Sequence, residues 1–458
     1  MRLPENRRLK VSRILHAGYL FESAQTKIVF DPIFESPFSR NCYAFPEVQF
    51  DRAQIQNLEL QAIFISHFHD DHCCFDSLDL LDRKTPVYIY CLFEELFILF
   101  KELGFLNVHS VALNVEIHVG AFTVTPRRAL DMEVDCIFQI QAAGFQILNV
   151  VDSWISFTTV YELAQKGPWD LILWPFQTLR ELQVLSPSRA LRADLELPSE
   201  WIEQLKILNP RYVVPSSCQF SHETWSWCNQ SLFPITYRQF ESQVSEALDS
   251  TKVIRLNPSV SVEFSSAGLT PAQPLAWVLP IGPQDVDYDY RADLNPPSMS
   301  DVARKFLPLS ESQARQVTQF IDLGLVEKFK QLEDPAEVFF QSARVWKLRI
   351  FDHLGESFDC HYQICGNRIQ KLANWVGAIS WLTEVAATKL HGALAEGESL
   401  TSMYLRINDT RFDSDVEAEI GNVDVLADPL IRVLFANDFG SFQRAQLRRL
   451  RSALSIHL

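Results

Sequence analysis

Long apolar runs are scarce in this 458-residue chain. The longest, residues 88–100, is interrupted by Glu94 and Glu95 and falls short of the roughly 20 residues that cross a bilayer, so no membrane span is expected. Residues 1–10 are polar and arginine-rich, with no apolar stretch ahead of a small-residue cleavage site, and the reading expects no secretory signal. Positive charge is short as well: 41 Lys and Arg face 57 Asp and Glu, a formal net charge of −16. Such a surface repels phosphate backbones, and with no local basic patch to offset it, nucleic acid is not an expected partner. The nine cysteines include no Cys-x-x-Cys pair. An odd, unpatterned set reads as buried reduced thiols in a cytoplasmic protein, with Cys73 and Cys74 as packing residues. Also missing are a Gly-rich phosphate loop, a Gly-x-Ser-x-Gly elbow, a Cys-His pair suited to thiol catalysis, internal repeats and low-complexity tracts. What remains is ordinary globular composition. Hydrophobic residues at 47% and charged residues at 21% exclude wholesale disorder, and the length fits two or three domains of roughly 150 residues.

The first half alternates strand-like and helix-like segments. Residues 11–21 are apolar around Gly18, and residues 27–30 form a short β-like run closed by the turn pair Asp31 and Pro32. From Ala62 to Ile65 the chain is continuously apolar, as a buried strand is. Residues 76–81 and 94–103 have helical spacing on either side of a β-branched and aromatic run at 86–90. Strand character returns at 108–119 and 122–125, a hairpin turning at Gly144 joins 136–140 to 145–151, and 169–174 is one more buried strand. This alternation predicts sheets covered by helices. Six prolines and the acidic patch 285–289 mark a boundary, giving a domain over 1–265, a linker over 266–297 and an α+β domain over 298–458. In the last, helices are expected at 300–306, 310–323 and 368–394, strands at 345–351 and 403–407, and a docked basic amphipathic helix at 442–454.

Chemistry concentrates in one place. Ile63, Phe64, Ile65 and Ser66 lead directly into His67, Phe68, His69, Asp70, Asp71 and His72, so three imidazoles and two carboxylates fall within six positions after a buried strand. A tight loop there points His67 and His69 to one side and brings Asp71 and His72 to a second point a few ångströms away, which suits two adjacent metal ions. Asp70 reads as a solvent-facing spacer.

The pattern His-x-His-x-Asp-His after an apolar strand resembles the signature of the metallo-β-lactamase superfamily. The opening His16-Ala17-Gly18-Tyr19-Leu20-Phe21 and the following Ile28-Val29-Phe30-Asp31-Pro32 resemble the first hairpin of the branch that holds ascorbate-phosphate lactonases and N-acyl-phosphatidylethanolamine phospholipases. The likeness runs over about residues 10–260. It implies a four-layer αββα sandwich with a dinuclear metal site at one edge, His67 and His69 on the first metal, Asp71 and His72 on the second, and Asp152, after Asn149, Val150 and Val151, as the bridge. Two ligands that the family usually has are missing. Where a third first-site His is expected the chain has no His, and Asp131 or Glu133 either fills the place or is an ordinary surface acid. Where a Pro-x-His closes the domain, Pro215 is followed by Ser216 and Ser217, with His222 and Cys218 as nearby substitutes. His16 either orients substrate or a ligand, or is a satisfied core residue.

Three readings follow, in order. The first is a metal-dependent hydrolase acting on an ester, amide or phosphoester of a small or lipid-like molecule, with one or two divalent ions, zinc or iron (or manganese), and Asp71 accepting the proton of the attacking water. The second is a non-haem iron oxygenase on the same fold, because carboxylate in place of imidazole hardens the site. The third is a binding or scaffold protein with a degenerate metal site. The C-terminal domain covers the site mouth, selects substrate or mediates a homo-oligomer, and these alternatives stay open.

Overall fold

The computed structural model describes residues 7–191, 195–332, 337–435 and 440–456. They form two compact units. The first holds the chain up to Leu179, the stretch ending at Tyr290, and the terminal segment from Gln446; the second holds a short stretch from Arg180 and the chain from Arg291 to Ala445.

The first unit is a sandwich of two mixed sheets with a common plan. In one, β1 (Leu9–Arg13), β2 (Tyr19–Ser23) and β3 (Thr26–Phe30) form an antiparallel meander. Onto β3 add β4 (Ala62–Ile65), β5 (Val87–Ile89) and β6 (Val108–Ser110), all parallel. In the other, β7 (Ile117–Val119), β8 (Phe122–Arg128), β9 (Cys136–Ala142) and β10 (Phe145–Asn149) are antiparallel. They are continued in parallel by β11 (Leu171–Pro175), β12 (Tyr212–Ser216) and β13 (Lys252–Val253). β14 (Ser261–Ser265) and β15 (Gly268–Ala272), the second of these inside the proline-rich stretch, close against β1.

Rings join the two inner faces. Phe30 stacks on Phe64 of the neighbouring strand at 4.9 Å and meets Phe138 of the opposite sheet at 5.1 Å. Helices occupy the parallel crossovers, as parallel strands require. After α1 (Phe75–Leu78), α2 (Glu94–Leu103) buries Leu96, Leu99, Phe100 and Leu103, the spacing of one helical face, and stops at Gly104, whose φ of +105° suits glycine. α3 (Phe157–Ala164), α4 (Ser199–Leu208) and α5 (Tyr237–Ala247) serve the second sheet in the same way. This is the four-layer αββα sandwich that the sequence implied. One difference is local: residues 108–119 break into β6 and β7, strands of different sheets, around Asn114 at φ +65°.

The second unit carries a five-stranded sheet in the order β18 (Arg368–Leu372), β17 (Ser357–Cys365), β16 (Arg344–Phe351), β19 (Trp381–Ala386), β20 (Arg406–Ile407), with helices beside it, an α+β arrangement as expected. The helix expected over 368–394 is instead β18, β19 and a short helix from Ala387 to His391. The reason is burial. β19 is covered on both faces, so its apolar run hides the alternation that separates strand from helix. The strand expected over 403–407 shrinks to β20.

The topology places chemistry at one edge of the sandwich. β1, β3 and β4 run in the same direction, as do β10, β11 and β12, and their carboxyl ends carry His16, Asp31, His67, Asp152 and Ser217. Open parallel sheets place their ligand sites at such ends.

Within the first unit the terminal segment, the part of the last helix (Ser441–Ile456) from Gln446 on, is anchored by Gln446 itself, which is fully buried. Its side-chain oxygen accepts from Phe75 N at 2.8 Å while its amide donates to Asp76 Oδ2 at 3.1 Å and to Cys74 Sγ at 3.3 Å. Cys74 in turn donates to Glu35 Oε1 at 2.9 Å. Burial pushes the Glu35 carboxyl from 4.5 up to about 7, outweighing the thiol hydrogen bond. The folded state therefore holds a proton that the unfolded chain releases between these values, so this group favours folding at low pH and its contribution fades as pH rises through 7. Glu35→Gln is expected to flatten that trend, leaving the variant about 2 kcal/mol less sensitive than wild type between pH 5 and pH 8, after allowance for its partial solvent contact. Thermal unfolding of both proteins at the two pH values checks this; equal slopes would show that the proton is not held there.

Candidate metal centre

The turn after β1 delivers the first side chain. Ile14 N donates to Gly18 O at 2.9 Å and Gly18 N to Leu15 O at 2.7 Å, which lifts His16 out of the strand at φ +53°. Gly18 is required here because a Cβ would stand 2.9 Å from the Asp31 carbonyl oxygen. Beyond β4 the chain turns tightly, with His72 N and Cys73 N both bonded to His69 O. Four side chains then converge. His16 Nε2 lies 3.2 Å from Asp71 Oδ2 and 3.3 Å from His72 Nε2, and His72 Nε2 lies 3.0 Å from Asp152 Oδ2 and 3.6 Å from Asp71 Oδ2. All four donor atoms fall within 4.8 Å of one another.

These spacings can be tested against a metal. Ligands about 2.0–2.1 Å from a tetrahedral ion stand roughly 3.4 Å apart; four of the gaps, 3.0–3.6 Å, match that edge, while the group as a whole extends to 4.8 Å. His67 and His69 stand beside the group, the His67 ring 4.1 Å from the His72 ring and 4.5 Å from that of His69.

One hydrogen-bond chain sets the imidazoles. Asp31 is fully buried at φ +39°. Its Oδ1 accepts from Ser66 N at 2.7 Å; its Oδ2 accepts from Ser66 Oγ at 2.7 Å and from His72 Nδ1 at 3.1 Å. Since the Ser66 proton goes to Asp31, its oxygen is left to accept from His67 Nδ1 at 2.9 Å. Both rings thereby hold a proton on Nδ1; His67 turns a bare Nε2 outward, and His72 would do so once a metal displaced the second proton that Asp152 and Asp71 hold on it.

The charge states agree with that role. Burial and the neighbouring His72 push His67 down to about 4, so it is a neutral donor at ordinary pH; His69, on the exposed side of the loop, is shifted in the same direction. Burial alone would raise Asp71 and Asp152, but His72 and the other imidazoles hold both carboxyls well below the usual range. His72 is opposed by burial yet raised well above 6.5 by Asp152, Asp71 and Asp31, so the pocket carries negative charge in excess and attracts a cation.

The remaining candidates separate. Asp131 and Glu133 are exposed, and Asp131 instead shapes a local turn, accepting from Glu133 N at 3.2 Å through Oδ1 and from Asp135 N at 2.8 Å through its carbonyl. His222 is buried with its ring 5.7 Å from Phe220, outside the four-residue group. Ser217 is fully buried at φ +62°. Asp70 is half-buried rather than solvent-facing, and burial with the adjacent Asp71 charge pushes its carboxyl up to about 7. Sequence reasoning passed over Asp31, taken as a turn residue, Ser66, and Asp135. Asp135 accepts from Ser153 Oγ at 2.8 Å and is raised to about 6 by burial and by Asp152, and it also feels His69 and His72. Its place just before β9 and beside the bridging candidate was a usable signal.

No family model matches the chain. Over 154 residues it is 25% identical to a zebrafish (Danio rerio) cytidine monophosphate-N-acetylneuraminic acid hydroxylase, a match covering 31% of this chain; the chain spans about a quarter (26%) of that relative's length. Among solved structures, Igni18, a metallo hydrolase from Ignicoccus hospitalis, is 17% identical with a TM-score of 0.40, over 56% of this chain and 99% of its own. CmlA, a diiron β-hydroxylase from Streptomyces venezuelae, is 17% identical with a TM-score of 0.38, over 58% of this chain and 55% of its own.

Asp31→Asn offers a test of the hydrogen-bond chain. The amide tolerates the left-handed backbone but places a donor against His72 Nδ1 or Ser66, so divalent-metal affinity is expected to fall about 10- to 100-fold with the fold retained. Chelator competition on the two proteins measures this, and unchanged affinity would remove Asp31 from the site.

Proposed function

We propose that this chain is a metal-dependent hydrolase with a dinuclear site. The grouping of donor atoms of His16, Asp71, His72 and Asp152 within 4.8 Å of one another is the observation that supports it most. In this reading His16, Asp71, His72 and Asp152 hold one ion, and His67, His69, Asp152 and Asp135 hold the other. His16 supplies the nitrogen that the family usually draws from the loop after β12, and Asp135, rather than Asp131 or Glu133, stands in for the missing third imidazole. A divalent ion bound there supplies Lewis-acid polarisation and lowers the pKa of water. The chain's own part is to orient the donors through Asp31 and Ser66 and to accept the proton of the attacking water at Asp71. The substrate is an ester, amide or phosphoester of a small molecule.

A second reading, a non-haem iron oxygenase, is favoured by the donor count. With Asp135 in place, carboxylates match imidazoles around the first ion, which suits iron. The partial likeness to a hydroxylase points the same way.

Metal analysis of freshly purified protein separates the two. Near-stoichiometric zinc without ferric absorption supports the hydrolase; two irons with peroxide-dependent spectral changes support the oxygenase. His67→Ala with His69→Ala is expected to empty the first position, and His16→Ala the second, each lowering the metal content by about one ion per chain while circular dichroism stays unchanged. Full stoichiometry in these variants would overturn the assignment.

A further inference from the structure

The inward face of β1 presents Leu9, Val11 and then Arg13, an arginine with no solvent exposure. It is the last inward position of the strand, at the edge of the sandwich that carries the metal centre. Among the described residues no carboxylate lies within salt-bridge distance. Its Nη1 donates to the Tyr19 hydroxyl and weakly, at 3.4 Å, to Ser216 Oγ, and these two hydroxyls are 2.9 Å apart. Its Nε and Nη2 have no partner. An unsatisfied buried donor costs about 1–3 kcal/mol, and a buried charge without a counter-charge costs more. Nothing internal offers that counter-charge, because burial raises Tyr19, Tyr237 and Tyr288 and keeps their hydroxyls neutral. The unpartnered atoms matter by their geometry. Nε and Nη2 form the side-on edge of the guanidinium, the pair that grips two oxygens of a carboxylate or phosphate at once. The metal centre shares this edge: Arg13 ends β1 three positions before His16, and its partner Ser216 ends β12 on the same edge.

We propose that the Nε–Nη2 edge of Arg13, with Tyr19 and Ser216 behind it, is an oxyanion subsite at the edge of the sandwich that carries the metal centre, and that substrates of this site carry a carboxylate or phosphate group. The second half of the statement rests on the metal-centre reading; the subsite does not.

The test uses the full chain, both metal-loaded and after chelation, with inorganic phosphate and phenyl phosphate as probes in calorimetry and thermal unfolding. Inorganic phosphate is expected to bind the chelated protein and raise its unfolding temperature. Arg13→Gln is expected to abolish that binding, and Arg13→Lys, which keeps the charge but loses the fork, to weaken it at least tenfold. Should Arg13→Gln not fold, Arg13→Lys and Ser216→Ala carry the comparison. Phenyl phosphate that needs both Arg13 and His67 with His69 identifies the anion as substrate-borne. Phenyl phosphate that fails to bind where inorganic phosphate does leaves a free ion in the subsite and overturns the substrate half. Equal phosphate binding by wild type and the Arg13 variants, binding that vanishes on chelation, or no binding of either probe would overturn the subsite itself.

Discussion

The metal centre hangs on one buried carboxylate, that of Asp31. A charge removed from water is tolerated when its lone pairs are occupied, and Asp31 accepts from Ser66 N, Ser66 Oγ and His72 Nδ1. Its own N–H is tied to Phe64 O at 2.9 Å, so the carboxylate is fixed relative to β4, the strand that launches His67. Ser66 then passes the constraint on. Because its single proton is spent on Asp31, it can only accept from His67. Two imidazoles, His67 and His72, are thus held with a proton on Nδ1 by a single acid 36 and 41 residues earlier in the chain, as the numbering shows.

That rigidity is bought with backbone strain. His16, Asp31, Val151, Ser217 and Cys218 all have φ between +39° and +64°, and all sit at strand ends around the centre. Left-handed non-glycine residues cost on the order of 1–3 kcal/mol each when the surroundings hold them there. The surroundings are the two-sheet core, where Phe30, Phe64 and Phe138 lock the strands whose ends carry these residues. Strain concentrated at one edge of a well-packed sandwich is what a preorganised site looks like, since donors already in place need no reordering when a ligand arrives.

Much of this was legible in the sequence. The αββα layering followed from strand and helix alternation together with the resemblance, and the dense run His67 to His72 announced itself because so few histidines occur elsewhere. What escaped was long-range pairing. Asp31 beside Pro32 looks like an ordinary turn until β3 and β4 pair in parallel and put it against Ser66. His16 remained open between three roles because its partners lie 55 to 136 residues later, by the numbering of Asp71 and Asp152. Asp131 and Glu133 attracted notice by residue type alone, yet the turn that Asp131 shapes carries the chain on to Asp135, which accepts from Ser153, the neighbour of Asp152. In the second unit the double-sided burial of β19 erased the period-two signal, and a helix was expected instead.

Charge balance weighs against a decayed site. Asp31, Asp71 and Asp152 all face His72, and one imidazolium cannot neutralise three carboxylates in a low-dielectric pocket. A protein that merely kept the fold would gain stability by exchanging any of these acids for an amide, because like charges held together oppose folding. This chain instead retains all three, brings His16 into the group with Asp71, His72 and Asp152, and keeps Ser66 and Asp31 behind the rings. Replacement of a donor from one loop by a donor from another, with the second layer of hydrogen bonds intact, is the pattern of a site under continued constraint. It is also why the centre accepts a divalent cation so naturally: the ion supplies the positive charge that the folded protein leaves unprovided.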